Sequence, residues 1–131
     1  MEKTSKATID GRLEKIIVFV DDDRVQHMIN RRTLLKINPH LNLIFFEHPY
    51  EALEWLSSNK GDVLLLDINM PEMDGWHFLN LMKQKDIDIE VRMLTSSLDP
   101  DDVEKSQEYD IVKGFLVKPL RYENIVEFLG N

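Results

Sequence analysis

Residues 63–75 read Val-Leu-Leu-Leu-Asp-Ile-Asn-Met-Pro-Glu-Met-Asp-Gly, an apolar run that ends abruptly in an acid. The run from Val63 to Leu66 predicts a strand that is buried on both faces, with Asp67 at its carboxyl end. Pro71 and the pair Asp74-Gly75 then predict a turn-rich loop before a helix. Open α/β sheets bind ligands at the carboxyl ends of their strands, so Asp67 is a candidate nucleophile or metal ligand.

The composition predicts one acidic domain. The chain has 131 residues, 43% of them hydrophobic, which is enough for a single core with covering helices. It has no cysteine, no apolar segment near its start and no apolar run approaching the roughly 20 residues that span a bilayer. These features predict a cytoplasmic protein with no membrane segment. The net charge of −8 argues against a nucleic-acid partner, because phosphate contacts need clustered lysine and arginine.

Strand and helix patterns alternate along the chain. A polar stretch over residues 1–14 predicts a flexible N-terminal tail, so the domain is expected over 15–131. Strands are predicted at 16–20, 41–46, 62–67, 90–95 and 115–117. A helical pattern follows each strand, the third over about 75–85. This alternation predicts an α/β fold in which helices cover both faces of a parallel sheet.

Two helix starts and one helix face are also predicted. Asp23 and Asp99 are expected N-caps, because an aspartate side chain accepts hydrogen bonds from the free N–H groups of a first turn. The first helix carries most of its apolar residues within one arc, with Leu34 off it: Val25, Met28, Ile29 and Leu35. The histidines lack metal-ligand spacing and are predicted to be surface or partly packed residues: His27, His40, His48 and His77.

The predicted strand ends collect a chemical set, namely Asp21 and Asp22, then Asp67, Thr95 and Lys118. Three carboxylates at one edge would repel one another unless a divalent cation lay among them. An all-oxygen ligand set favours Mg²⁺ or Mn²⁺, and Mg²⁺ completes its octahedron with phosphate oxygens. The site is therefore expected to handle a phosphoryl group, with Asp67 attacking and with Lys118 and Thr95 contacting the phosphoryl oxygens.

These motifs, in this order, resemble the receiver domain of two-component response regulators. The matching residues are Val20-Asp21-Asp22, the segment from Asp67 to Gly75, Thr95 and Lys118-Pro119. The resemblance extends from Ile16 to Leu129. It implies a flavodoxin-like (βα)5 fold, a doubly wound five-stranded parallel sheet of order 2-1-3-4-5, with a cis peptide at Lys118-Pro119.

The same resemblance implies a reaction. Asp67 would accept a phosphoryl group from a sensor histidine kinase or a histidine phosphotransfer protein. Mg²⁺ would be held by Asp22, Asp67 and the backbone carbonyl of Asn69, with Asp21 acting through water. The protein would be a phospho-acceptor that slowly dephosphorylates itself, not an enzyme with a substrate of its own.

The resemblance further implies a switch. Thr95 would be drawn towards the phosphoryl group, and Phe115, where the family commonly has tyrosine, would follow into the vacated space. The surface made by the last two helices and the strand between them would change as a result. Asn69 and Ser97 stand at the two positions that tune the lifetime of the aspartyl phosphate.

Three classes of function remain open. The first is a stand-alone response regulator that acts on a partner protein. The partner is either a downstream target or a histidine phosphotransfer domain in a phosphorelay. A homodimer through the last strand and its flanking helices is a further option. The second is an Mg²⁺-dependent aspartyl phosphohydrolase. The argument against it is that Asn69 occupies the position where such an enzyme would need a general acid. The third is a degenerate receiver that serves only as a binding module. The argument against it is that the acid, hydroxyl and lysine residues of the family are all present.

Overall fold

The computed structural model describes residues 15–129, in which five strands alternate with five helices. The strands are β1 (Ile16–Val20), β2 (Asn42–Phe46), β3 (Val63–Asp67), β4 (Glu90–Thr95) and β5 (Val112–Val117). The helices are α1 (Arg24–Ile37), α2 (Pro49–Ser58), α3 (Gly75–Gln84), α4 (Pro100–Ser106) and α5 (Tyr122–Leu129). The predicted alternation is therefore confirmed.

Residues 1–14, for which the sequence predicts a flexible tail, lie outside the described residues. The division into a tail and a domain over 15–131 thus stays a prediction. Between residues 15 and 129, no helix combines the length and the apolar composition that crossing a membrane requires.

All five strands run parallel in the order β2-β1-β3-β4-β5, which confirms the expected order. The central strand β3 pairs with β1 on one side and with β4 on the other, so that Leu64 lies beside both Val18 and Val91. Because the strands are parallel, the chain leaves β1, β3 and β4 at the same edge of the sheet. This edge is where the predicted chemical set has to meet.

Two apolar layers cover the sheet. On one face, Val18, Leu66 and Met93 pack with side chains of α2 and α3. On the other face, strand residues pack with Leu34 of α1 and Ile125 of α5. The apolar run of β3 is fully buried because a parallel sheet covered on both faces needs apolar residues at every strand position.

The face of α1 that packs on the sheet is not the one that carries its apolar arc. Its buried residues are His27, Asn30 and Leu34. Within the arc, Val25 is 61% exposed and Met28 is 63% exposed. The prediction that all four histidines are surface or partly packed residues is therefore wrong for His27. The physical reason is that α1 starts beside the ends of β1 and β2, where the imidazole of His27 lies within hydrogen-bond distance of two backbone carbonyl oxygens.

Strand β5 begins at Val112, three residues before the predicted start at Phe115. The register of the β4–β5 pair shifts between Val91 and Arg92, which leaves Lys113 as an extra residue in β5. Such a bulge interrupts the alternation of apolar and polar residues. The alternation in the sequence therefore does not reveal the first residues of β5.

Helix α4 has no buried residue of its own. The side chain of Asp99 caps it by accepting from the N–H of Asp101 at 2.9 Å, as predicted. At its other end, Lys105 Nζ lies 5.5 Å from the centroid of the Trp76 ring on α3. The ring of Tyr109, just beyond the helix, stacks on the same indole with centroids 5.7 Å apart. Contacts at its carboxyl end therefore attach α4 to α3.

Candidate functional site

Three acids meet at the carboxyl edge of the sheet. Asp21 follows the last residue of β1, Asp22 comes next, and Asp67 is the last residue of β3. One carboxylate oxygen from each of the three lies within 4.8 Å of the others. Asp21 is 1% exposed and Asp67 is 3% exposed, whereas Asp22 faces solvent. The structure thus brings together the acids that the sequence predicts at one site.

Lys118 joins these acids from the loop after β5. Its Nζ lies 3.1 Å from Oδ2 of Asp21 and 3.2 Å from Oδ1 of Asp67, and it donates a hydrogen bond to each. Its backbone N–H donates to the carbonyl of Thr95 at 2.8 Å, and its peptide bond to Pro119 is cis, as expected. One ammonium against three carboxylates leaves the pocket with a net negative charge.

The electrostatics of the pocket follow from burial and from the short distances between its charges. Burial raises the pKa of the Asp67 carboxyl from its ordinary value of 3.8 to about 6; the Asp21 carboxylate adds to this rise and Lys118 opposes it. Burial lowers the pKa of the Lys118 ammonium, but the carboxylates of Asp21 and Asp67 raise it by more, so the net shift is upward. The protein groups of the pocket alone therefore carry too little positive charge to balance its carboxylates.

The two oxygens of Asp67 have different surroundings. Oδ1 accepts the hydrogen bond from Lys118 and a longer one, at 3.4 Å, from the N–H of Asn69. Among the residues that the structure describes, Oδ2 accepts no hydrogen bond from a protein donor. Oδ2 is therefore the oxygen that is free to react or to bind a cation.

The three-acid group can hold a divalent cation. All of its donor atoms are carboxylate oxygens, the ligands that Mg²⁺ and Mn²⁺ prefer. The excess negative charge at Asp21 and Asp67 is only partly balanced by Lys118, and the exposed Asp22 leaves the pocket open on one side. The chemistry and the spacing of the donors both fit a hard metal ion.

Glycine at position 75 is required by a close contact. An added Cβ there would lie 2.8 Å from the carbonyl oxygen of Asp67 and 2.9 Å from Cε of Met93. The Gly75 N–H donates to the carbonyl of Ile68 at 2.7 Å, while Asp74 caps α3. The predicted turn before α3 is present. Gly75 is needed there because only a residue without a Cβ lets α3 pack this closely against the end of β3.

Thr95, a predicted site residue, is 4% exposed at the end of β4. Its hydroxyl donates to the carbonyl of Ser97 rather than to an acid of the pocket. Phe115, the predicted partner in a switch, is half-buried and packs against the face of the core covered by α2 and α3. Asn69 and Ser97 are both exposed beside the pocket. The roles of these four residues stay predictions.

One residue at the site escaped sequence reasoning. The Nε2 of His27 lies 2.7 Å from the carbonyl oxygen of Asp21 and 3.2 Å from that of Phe46. The available signal was Leu34: residues three and four apart share a helix face, so Leu34, Asn30 and His27 form one stripe. The larger apolar arc of α1 concealed this stripe.

Comparison with known proteins identifies the family of this site. The family model for the response regulator receiver domain matches residues 17–129. The cyclic di-GMP phosphodiesterase response regulator RpfG of Xanthomonas campestris is 34% identical over 107 residues, which is 80% of this chain and 28% of RpfG. The two-component response regulator ARR10 of Arabidopsis thaliana is 32% identical over 111 residues, which is 83% of this chain and 19% of ARR10. The chain thus spans less than half of the length of these curated relatives.

Solved structures give the same result. A two-component response regulator from Legionella pneumophila has a TM-score of 0.78 and 26% identity, over 89% of this chain and 96% of that one. The chemotaxis protein CheY4 of Vibrio cholerae has a TM-score of 0.74 and 25% identity, over 89% of this chain and 97% of that one. From the match over 17–129 and the shared fold, we conclude that the chain belongs to the family of response regulator receiver domains.

Proposed function

We propose that this protein is a phosphorylation-controlled response regulator in which Asp67 accepts the phosphoryl group. Phosphorylation and Mg²⁺ are usual features of the family. The observation that carries the proposal is the bridging position of Lys118, within hydrogen-bond distance of both Asp21 and Asp67 beside the exposed Asp22. A degenerate binding module would have no need of this buried and charged arrangement.

In the proposed reaction, an oxygen of Asp67 forms a bond to phosphorus while the bond from phosphorus to the donor nitrogen of a phosphohistidine breaks. The electron pair of the broken bond stays on the imidazole nitrogen. We assign the attack to Oδ2, because Oδ1 already accepts from Lys118 and Asn69. Phosphoryl transfer requires little covalent catalysis. The pocket would therefore act by positioning the reacting groups and by balancing the negative charge of the phosphoryl oxygens.

Asp22, Asp67 and the backbone carbonyl of Asn69 would hold Mg²⁺, with Asp21 acting through water. When bound, the ion would supply the positive charge that the phosphoryl oxygens need and that Lys118 alone does not provide. Lys118 would then turn its ammonium towards a phosphoryl oxygen, to which Thr95 would also donate. The carboxylate of Asp21 holds this lysine in place.

The phosphoryl donor would be a sensor histidine kinase or a histidine phosphotransfer protein. The donor has to bring an imidazole to Asp67. Because α1 begins two residues after the exposed Asp22, a donor bound at the pocket would lie close to this helix. We propose that the donor covers the apolar arc of α1, where Val25 and Met28 are more than half exposed and Ile29 is 41% exposed. A Met28→Ala substitution should then slow transfer from the donor protein and leave phosphorylation by acetyl phosphate unchanged.

The output would be a change in the surface formed by α4, β5 and α5. Thr95 would exchange its bond to Ser97 for one to the phosphoryl group, and Phe115 would follow it. On this surface Val117 is 42% exposed and Tyr122 is 61% exposed, which leaves apolar area for a downstream target or for a second copy of the chain. Asn69 and Ser97, exposed beside the pocket, would set the lifetime of the aspartyl phosphate.

The test is the intact mass of the protein after incubation with acetyl phosphate and Mg²⁺. We expect a gain of one phosphoryl group in the wild type and none in Asp67→Asn, which keeps the shape of the side chain but lacks a nucleophilic carboxylate. Labelling of Asp67→Asn at another residue would overturn the assignment. Rapid multiple turnover of a phosphate ester would favour a phosphohydrolase, and no gain from either acetyl phosphate or a phosphorylated kinase would favour a binding module.

A further inference from the structure

We propose that His27 is a positioning residue of the acid pocket, which holds the backbone of Asp21 so that its carboxylate faces Lys118 and the bound cation. The inference rests on the proposed function, because it concerns the same pocket. It assigns a role to a buried histidine whose Nε2 contacts the backbone carbonyls of Asp21 and Phe46. The bond that carries the role is the one from His27 Nε2 to the Asp21 carbonyl, 2.7 Å long.

The direction of this bond follows from its partners. Both atoms that face Nε2, the carbonyl oxygens of Asp21 and Phe46, can only accept, so Nε2 carries a hydrogen and donates. The other polar atoms of Asp21 are also engaged: its N–H donates to Phe46, Oδ1 accepts from the N–H of Asp23, and Oδ2 accepts from Lys118. Asp21 is therefore held at four points, and His27 provides one of them.

Within residues 15–129, no backbone N–H donates to the carbonyl of Asp21. Asp21 lies in the turn between the last residue of β1, Val20, and the first residue of α1, Arg24. The first helical bond of α1 runs from the N–H of His27 to the carbonyl of Asp23, which leaves the carbonyl of Asp21 outside the helix. Because Asp21 is 1% exposed, its carbonyl would be buried and unpaired without the imidazole.

The imidazole is itself fixed by its surroundings. His27 is 6% exposed, its ring centroid lies 5.0 Å from that of Phe45, and it meets the edge of Phe19 at 6.4 Å. Phe19 and Phe45 stack on each other with centroids 4.7 Å apart. Rotation of the imidazole away from Asp21 would disrupt this aromatic packing. His27 thus links the ends of β1 and β2 to α1 through a rigid contact.

Loss of the donor should affect the pocket through the backbone. If the carbonyl of Asp21 moves to find another partner, its carboxylate moves with it, and the bond to Lys118 is disturbed. Because Asp21 would act on the cation through water, it is an outer-shell group, and loss of such groups commonly weakens metal affinity about 10- to 100-fold. We therefore expect a change in cation affinity that a loss of packing alone would not cause.

The chain allows a matched set of variants. Glutamine places an amide Nε2 at the same number of bonds from Cα as the histidine Nε2, so His27→Gln keeps a donor within reach. His27→Met has a similar length and no donor, and the amide of His27→Asn is one bond too short. Leu34→Ala removes apolar packing from the same buried stripe of α1 without removing a bond to Asp21.

The measurement is the dissociation constant of Mg²⁺ alone, by titration calorimetry, on variants whose folding is checked by circular dichroism. We expect about tenfold weaker binding in His27→Met and His27→Asn, and affinity within about threefold of the wild type in His27→Gln. Leu34→Ala should unfold at a lower temperature and bind Mg²⁺ normally. The rate of phosphorylation by acetyl phosphate should fall in the same order.

Two results would overturn the inference while the wild type binds Mg²⁺ and is phosphorylated. One is a folded His27→Met or His27→Asn with an affinity within about twofold of the wild type; the other is an equal loss in His27→Gln or in Leu34→Ala. A wild type that neither binds Mg²⁺ nor accepts a phosphoryl group would overturn the proposed function, and this inference with it.

Discussion

The hydroxyl of Thr95 donates its hydrogen bond to the backbone carbonyl of Ser97, 2.7 Å away, and the Ser97 N–H donates back to the same hydroxyl at 3.2 Å. This pair of bonds closes the chain after β4 into a small loop that leads to α4. A phosphoryl group on Asp67 would offer the hydroxyl an ionised acceptor, which binds more strongly than a neutral carbonyl. In the phosphorylated protein, the path of the loop would then depend on whether Thr95 donates to Ser97 or to the phosphoryl group.

We predict that Thr95→Ala separates phosphorylation from the response of α4. Without the hydroxyl, the loop has no bond to exchange, so the amide resonances of α4 should shift much less on phosphorylation than in the wild type. Thr95→Ser keeps the hydroxyl and should keep most of the shift. Nuclear magnetic resonance of the phosphorylated proteins measures this difference, and equal shifts in the alanine variant would contradict it.

The stability of the metal-free protein should depend on pH through Asp67. The pKa of Asp67 is about 6 in the folded protein against an ordinary value of 3.8, so between these pH values Asp67 is more protonated in the folded state than in the unfolded chain. The free energy of unfolding should therefore rise as the pH falls through about 6, by about 2 kcal/mol from this group after allowance for solvent screening. Urea unfolding in EDTA measures it.

Asp67→Asn is the control for this pH dependence, because the amide does not titrate. The variant should lack the rise due to this group and should be more stable than the wild type at neutral pH, where the wild type keeps an unfavourable charge in the pocket. Profiles that run parallel for the two proteins would show that Asp67 is not the group responsible.

Mg²⁺ without phosphate should raise the unfolding temperature. A cation that binds only the folded state at tenfold above its dissociation constant adds about 1.4 kcal/mol, or about 5 °C for a domain of this size. Asp22→Asn should lose most of this gain. Asp88→Asn removes an exposed acid just before β4, at the opposite edge of the sheet, and should keep it. A gain reproduced by NaCl of equal ionic strength would count against a specific site.

Gly75→Ala should destabilise the protein even though alanine favours helices. The added Cβ would lie 2.8 Å from the carbonyl oxygen of Asp67, so either β3 or the start of α3 must move. We expect a loss of about 2 kcal/mol in denaturant unfolding and slower phosphorylation of Asp67. Gly114→Ala is the matched control, because its Cβ would lie 3.6 Å or more from every neighbour and should cost little.

The architecture was largely predictable because its signals are local. The buried run before Asp67 and the cap at Asp99 depend on neighbouring residues alone, and the acids and Lys118 could be brought together because parallel strands share one edge. The order of the strands depends on distant pairing and came from the resemblance to receiver domains. The start of β5 was missed because the extra residue Lys113 breaks the alternation.

The remaining differences concern backbone atoms that a sequence pattern does not reveal. The buried stripe of α1 is partly polar because His27 must satisfy a carbonyl whose position depends on how the turn after β1 folds. The contact between Gly75 and Asp67 and the bond from Thr95 to Ser97 likewise depend on the paths of two loops. Such contacts become visible only when the positions of backbone carbonyls are known.

The attachment of α4 by one end has a consequence for exchange with solvent. With no buried residue of its own, α4 can open locally at a small cost in free energy while the sheet and the other helices stay folded. Its amide hydrogens should therefore exchange with deuterium long before those of β3, and the contacts of Trp76 with Lys105 and Tyr109 should act as the hinge of this opening. Among the strands and helices of residues 15–129, α4 should then open most easily, and under the proposed function it belongs to the surface that changes on phosphorylation.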